Sequence, residues 1–182
     1  MGRPGNSVLV QLYDKNYRNG VAKMNDFRIV VEDDTFISND SCLINTIFFI
    51  EFQGKYFPDK QWTDFAPSVL GLWKTSLLQK IENHESNFSL YFIDGPYRLD
   101  VKKNNDGHFA IDCVCFRYVD NIQLTIRCNY VDFLRALHQA FESLKGILYK
   151  NDIDRDRFDG TYQQVIISMR ELDEAIIRFS SK

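Results

Sequence analysis

The aspartates near the C-terminal end of the chain have the spacing that comes closest to a metal-binding pattern. Asp152, Asp154 and Asp156 match the first, third and fifth positions of a helix–loop–helix calcium site. The sixth position of such a loop requires glycine and the twelfth requires a bidentate acid, but these positions hold Arg157 and Gln163. The spacing therefore favours a solvated connection between two helices over a calcium site.

The three histidines do not form a catalytic motif. His84, His108 and His138 have no serine, cysteine or carboxylate at a motif spacing, and none belongs to a zinc-binding helix. The chain also lacks a nucleophile elbow and a glycine-rich phosphate loop. The sequence thus predicts no catalytic residue, no cofactor and no metal.

Four aspartates leave an enzymatic alternative open. Asp59, Asp64, Asp94 and Asp100 could converge as an acid/base pair, which glycoside cleavage requires at a set separation. Structural roles are favoured, because aspartate caps helices and shapes turns, as expected for Asp64 and Asp94. The alternative function is a hydrolytic enzyme or small-ligand binder with a pocket between the sheet and the helix of residues 62–81.

The four cysteines are expected to be small buried thiols rather than metal ligands or a disulfide framework. Cys113 and Cys115 are two residues apart on a predicted strand and therefore share one face. Cys42 and Cys128 lie far away in the sequence. A zinc site would require closer paired spacing and nearby histidines.

Composition indicates a folded, soluble chain of 182 residues with 45% apolar and 14% aromatic residues. Its net charge of −3 argues against nucleic-acid binding, which usually requires a basic stripe. No run of 18 apolar residues and no signal-like N-terminus is present, so a cytoplasmic protein is expected, with no membrane contact. Residues 1–23 are interpreted as a peripheral leader, native or foreign, and residues 24–182 as one domain.

The periodicity of the first half predicts two strands followed by a helix. Residues 27–31 and 44–52 are rich in β-branched and aromatic side chains. From Trp62 to Ile81, large apolar residues recur every three or four positions, which predicts a helix with one buried face. Thr63 or Asp64 is expected to cap this helix, which should end near residues 82–84.

Tight turns then predict an antiparallel meander. Strands are expected at residues 88–93, 97–103, 108–118 and 122–128, joined by short segments rich in glycine, asparagine and aspartate. Two apolar stripes then predict a C-terminal helical pair, separated by a charged loop at residues 151–160. The predicted fold is α+β, with one antiparallel sheet of about five or six strands and helices packed on one face.

Two segments also carry a pattern of aromatic and turn residues that resembles a known group of proteins. The pattern consists of Phe57-Pro58-Asp59, Trp62, Asp64-Phe65, Leu70, Trp73 and Phe92-x-Asp94-Gly95-Pro96-Tyr97. It resembles small bacterial immunity proteins of polymorphic and contact-dependent toxin systems, over roughly residues 44–130. The resemblance implies a compact cytosolic α+β domain without enzymatic activity, which binds and neutralises a toxin, often a nuclease.

Acidic surface would suit a basic partner of that kind, because complementary charge speeds encounter. The sequence offers two acidic clusters as candidate partner-binding residues, although both could simply solubilise the surface. They comprise Glu32, Asp33 and Asp34 in the first, and Asp152, Asp154, Asp156 and Asp159 in the second. A structural subunit with an exposed apolar patch is a third possibility.

Overall fold

The computed structural model of the protein describes residues 27–37, 44–104, 108–150 and 155–180. The strands are β1 (Phe27–Ile37), β2 (Ile44–Phe52), β3 (Lys55–Phe57), β4 (Thr63–Asp64), β5 (Asn87–Tyr91), β6 (Tyr97–Lys103), β7 (His108–Cys115) and β8 (Asn121–Asn129). The helices are α1 (Ala66–Glu82), α2 (Tyr130–Lys150) and α3 (Arg155–Ser180).

The strands form two antiparallel sheets of four strands each. In the first sheet, β2 pairs with β1 along its length and with the short β3 and β4 on its other edge. The second sheet is the predicted meander, in the order β5-β6-β7-β8. The fold class α+β is confirmed, as are the four strands between residues 87 and 129.

The predicted single sheet of five or six strands is wrong. After β2 the chain forms only three-residue and two-residue strands, which each pair with a separate part of β2. It then enters α1, and β5 pairs with β6 rather than with a strand of the first sheet. Because β3 and β4 are so short, the first sheet ends with them and the meander forms its own sheet.

Helix α1 begins at Ala66, after both predicted cap residues, and ends where expected. The N-cap is Phe65, and no side chain caps the helix, so the predicted cap by Thr63 or Asp64 is wrong. Both residues instead pair with β2 as strand β4. The buried face includes Val69, Trp73 and Leu77, in agreement with the predicted stripe.

The two C-terminal helices are also confirmed, but the charged loop between them is shorter than predicted. Helix α3 begins at Arg155, so residues 155–160 are helical. The later positions of the possible calcium loop therefore lie on a helix, where the loop geometry required for calcium cannot form.

One continuous hydrophobic cluster joins the elements. It contains side chains of both sheets and all three helices, with the large rings of Phe48, Trp73, Phe109, Phe133 and Phe141 almost fully buried. Helices α1 and α2 contact strands of both sheets. The helices thus cover the inner sheet faces, and the opposite face of the second sheet is left for other contacts.

Candidate protein-binding surface

The first predicted acidic cluster lies on β1. Glu32 and Asp33 are exposed, and only the backbone of Asp34 is described. Asp33 is not free, because its Oδ2 accepts a hydrogen bond of 2.7 Å from Nζ of Lys150, the last residue of α2. Glu32 is therefore the cluster residue best suited to test an acidic binding surface.

The second acidic cluster follows Lys150 in the sequence. Asp152 and Asp154 lie outside the described residues, and Asp156 and Asp159 belong to the helical backbone of α3. The structure thus brings Asp33 to the end of the helix after which the second cluster begins. Whether either cluster binds a partner stays a prediction.

The aspartates of the enzymatic alternative have structural contacts. Asp64 is fully buried, and its carboxylate accepts hydrogen bonds from the backbone N–H groups of Phe65 (2.7 Å), Ile93 (3.1 Å) and Asp94 (3.2 Å). Burial raises its pKa above the usual 3.8, although these hydrogen bonds act in the opposite direction. Asp64 thus holds the β5–β6 turn against β4. The carboxylate of Asp59 accepts a hydrogen bond of 2.8 Å from the N–H of Gln61, within its own turn.

The two segments of the sequence pattern meet in space in a cluster that we call the aromatic joint. It consists of Phe57, Trp62, Trp73, Phe92 and Tyr97. Tyr97 makes edge contacts with Trp62 and Phe57, with ring centroids 4.8 and 5.6 Å apart, and Trp73 meets Phe92 at 5.1 Å. Since Phe57 belongs to β3 and Tyr97 to β6, the joint connects the two sheets. It fills the region between α1 and the strands with rings, which argues against a polar pocket there.

The outer face of the second sheet is built from three cross-strand rows. One row is Tyr91, Arg98, Val114 and Ile122; the next is Ser89, Asp100, Asp112 and Thr125; the third is Asn87, Lys102, Ala110 and Arg127. All these side chains except Val114 are exposed or half-buried. Among the described residues, none covers this face in the way the helices cover the inner one.

Arg98 anchors a charged network on the outer face. Its guanidinium donates to Asp100 at 2.9 and 3.0 Å and to Asp120 at 2.7 and 3.1 Å, and Ser89 Oγ donates to Asp100 at 2.6 Å. These contacts hold Arg98 above the ring of Phe116, with its guanidinium carbon 5.3 Å from the centroid. The network therefore fixes one arginine beside apolar side chains.

The shifts in the pKa values of Arg98, Asp100 and Asp120 follow from the same contacts. Hydrogen bonds from Arg98 lower the pKa of Asp120 below its usual 3.8. Partial burial acts to raise the pKa of Asp100, but the hydrogen bonds from Arg98 and Ser89, with the positive charge nearby, outweigh it and lower that pKa as well. The hydrogen bonds to Asp120 and Asp100 in turn raise the pKa of Arg98.

Replacement of Arg98 by methionine should raise the pKa of both Asp100 and Asp120, as measured by NMR titration of their carboxyl carbons. Because both folded-state pKa values lie below the unfolded value, the ion pairs stabilise the fold above about pH 3.8. That stabilisation is lost as the pH falls through the folded-state values. The stability difference between wild type and Arg98→Met should accordingly shrink in acid. Arg127→Met, a change on the same sheet face, should leave both pKa values unchanged, and equal shifts in the two variants would contradict the assignment.

The end of the second sheet that carries Arg98 also exposes apolar side chains. Six of them form what we call the apolar rim, namely Tyr91, Ile93, Phe116, Tyr118, Val119 and Ile122. Tyr118 and Val119 are 92% and 79% exposed, and both lie in the turn between β7 and β8. The rings of Tyr91 and Phe116 contact each other at 6.2 Å between centroids. Apolar side chains concentrated at one sheet end, beside a fixed arginine, are typical of a binding surface.

The apolar rim was not predicted from the sequence. The strand predicted to extend to Tyr118 ends at Cys115, so Phe116, Tyr118 and Val119 fall in a turn. The register shift between Cys113 and Val114 also brings Ile122, rather than Gln123, opposite Val114 on the outer face. The signal available in the sequence was a turn that contained large apolar residues where polar ones are usual.

Two of the four cysteines are the small buried thiols that were predicted. Cys113 and Cys128 are buried, and burial raises both thiol pKa values, that of Cys128 to about 12. Cys115 is half-buried, and Cys42 lies outside the described residues. Within the described ranges, no three histidine, cysteine or acidic side chains are placed to hold a metal ion.

Two further results bear on classification. No helix in the described part of the chain has the length and apolar character needed to cross a membrane. Comparisons of the chain with protein-family models, with curated proteins and with solved structures give no match.

Proposed function

We propose that this chain is a non-enzymatic protein-binding module, and that it neutralises a bacterial toxin domain, such as a nuclease, by occluding it in the cytoplasm. The observation that carries the proposal is the apolar rim on an open sheet face. The resemblance to immunity proteins supplies the kind of partner. The structural roles of Asp59 and Asp64 agree with a function that does not require catalysis.

The composition of the apolar rim favours a protein as the ligand. The centres of protein interfaces are enriched in tyrosine, phenylalanine and arginine, and their energetic hot spots are often tyrosine, tryptophan or arginine. Arg98 pairs with Tyr91 across the strands and lies over the ring of Phe116, and it is already held by its aspartates. An arginine held in place loses less side-chain entropy on binding, so the surface is partly preorganised.

The acidic residues would contribute mainly to the rate of association. A net charge of −3 and exposed acids such as Glu32 would attract a basic nuclease over distances comparable to the Debye length. In this proposal the apolar rim provides most of the affinity, and the acidic cluster provides a salt-dependent increase in the association rate.

The test begins with capture of the tagged protein's partner from a lysate of its source organism at moderate salt. A toxin domain bound at one-to-one stoichiometry, whose toxicity is suppressed on co-expression, would support the proposal. The double variant Tyr118→Asp/Val119→Asp should bind this toxin at least about 30-fold more weakly, the loss expected for a hot spot of about 2 kcal/mol. Calorimetry or surface plasmon resonance would measure the change.

The matched control is Leu72→Asp/Ile177→Asp, which makes the same charge change at two exposed apolar residues of α1 and α3. It should bind within about threefold of wild type, since surface positions outside an interface contribute little. If both variants bind equally well, the apolar rim is not the binding site. If no stoichiometric protein is captured from cells that express toxins, the toxin-binding function is wrong.

Glu32→Lys should slow association at low salt and leave dissociation unchanged.

A further inference from the structure

A groove of about 480 Å³ lies away from the apolar rim, where the C-terminal ends of α1 and α3 meet the start of α2. Its apolar part is formed by the rings of Phe109, Tyr130 and Phe179, together with Ile81. The Tyr130 ring contacts Phe179 at 4.6 Å and Phe109 at 5.7 Å, both edge to face. The volume falls within the range of roughly 300–1,000 Å³ that is usual for small-molecule sites.

Two of the polar side chains that line this groove, Lys103 and Arg135, are cationic hydrogen-bond donors. Lys103 is exposed, and no acidic partner for it is present among the described residues. The Nη1 atom of Arg135 lies 3.5 Å from Oδ1 of Asp132, which is a long distance for an ion pair, and the Arg135 side chain remains partly exposed. Ser180 adds a hydroxyl group. Two positive charges that are barely compensated make the groove favourable for an anion.

Tyr130 adds a buried donor that has no partner. Its hydroxyl oxygen is inaccessible to solvent and makes no hydrogen bond to any described residue. Burial raises the pKa of this phenol, so the hydroxyl keeps its proton at neutral pH. A buried hydroxyl without a partner is unfavourable, and a shift of the Tyr130 side chain that let a ligand acceptor reach it would remove this cost.

We propose that this groove binds a small organic anion, with an aromatic or aliphatic body against Phe109, Tyr130 and Phe179. The anionic group, a carboxylate or sulfonate, lies between Lys103 and Arg135. The apolar body gains free energy from burial against the rings, and the two cations provide the preference for an anion. The site does not depend on the protein-binding function proposed above.

The probe is 8-anilinonaphthalene-1-sulfonate, which combines an aromatic body with one sulfonate and fluoresces when it leaves water. We expect saturable one-to-one binding to the intact chain, measured by fluorescence and calorimetry. The neutral analogue N-phenyl-1-naphthylamine lacks the sulfonate and should bind at least about tenfold more weakly, the loss of one charge-assisted contact. Absence of saturable binding, or equal affinity for both compounds, would overturn the proposal.

Variants locate the site. Lys103→Glu/Arg135→Glu should weaken sulfonate binding at least about tenfold, whereas Arg127→Glu/Arg170→Glu, the same charge change at exposed positions elsewhere, should stay within about twofold. Tyr118→Asp/Val119→Asp should also leave binding unchanged. If the apolar-rim variant abolished binding and the Lys103/Arg135 variant did not, the probe would be bound at the apolar rim and the proposal would be wrong.

Tyr130→Phe separates ligand binding from folding. It removes only the hydroxyl, so binding of the sulfonate should weaken at least about tenfold, the value of one hydrogen bond to a charged acceptor. The stability of the unliganded protein should stay the same or increase, because a buried group without a partner is removed. Unchanged binding in Tyr130→Phe would exclude the hydroxyl as a ligand contact.

Discussion

Replacement of Asp64 by alanine is expected to lower the free energy of unfolding by about 3–5 kcal/mol, the range for removal of one partner from a buried, hydrogen-bonded charge. The carboxylate is inaccessible to solvent and accepts the N–H groups of Phe65, Ile93 and Asp94. Alanine would leave all three donors without an acceptor. Urea denaturation followed by circular dichroism would measure the loss.

Asp59→Ala is the matched control. Asp59 is exposed and accepts one N–H, that of Gln61, two residues away. Its loss should cost no more than about 1 kcal/mol, as is usual for a surface turn contact. Similar losses in the two variants would mean that Asp64 does not organise the β5–β6 turn.

Gly95→Ala should destabilise the protein by about 2–4 kcal/mol, the combined effect of an unfavourable backbone conformation and overpacking. Gly95 has a φ of +70°, which disfavours any side chain. A Cβ atom there would also lie 2.7 Å from the Trp62 ring and 2.9 Å from the Tyr97 ring. Both rings belong to the aromatic joint, so neither can move without disturbing the contact between the sheets.

Gly54→Ala provides the comparison for this variant. Gly54 has nearly the same φ of +74°, but a Cβ atom would meet nothing within 4 Å. Only the conformational cost of about 1 kcal/mol should remain. The difference between the variants, measured by the same denaturation, isolates the clash with the two rings. If both variants lose the same stability, the rings do not constrain Gly95.

The parts of the fold that depend on local signals were predictable. The strands of the meander are separated by short stretches of sequence, and each pairs with its neighbour in the sequence. The division into two sheets was not predictable, because β3 and β4 are only three and two residues long and leave no periodic pattern. Secondary structure this short is specified by its partner, β2, rather than by its own residues.

The roles of individual residues were least predictable where their partners are distant in the sequence. Asp64 has the residue type and position of a helix cap, but it accepts N–H groups from residues 29 and 30 positions later. The apolar rim was missed for a related reason. Phe116 and Tyr118 alternate like strand residues, and only the pairing of β7 with β8 shows that the strand has already ended.

The aromatic joint contains both tryptophans of the chain, Trp62 and Trp73. Intrinsic tryptophan fluorescence is therefore a local probe, which reports on the contact between the sheets and not on the C-terminal helices. Far-UV circular dichroism, by contrast, is dominated by α2 and α3. Coincident unfolding curves from the two signals would show that the helical pair and the sheets unfold as one cooperative unit. Separate curves would show that the helices can detach while the sheets stay joined.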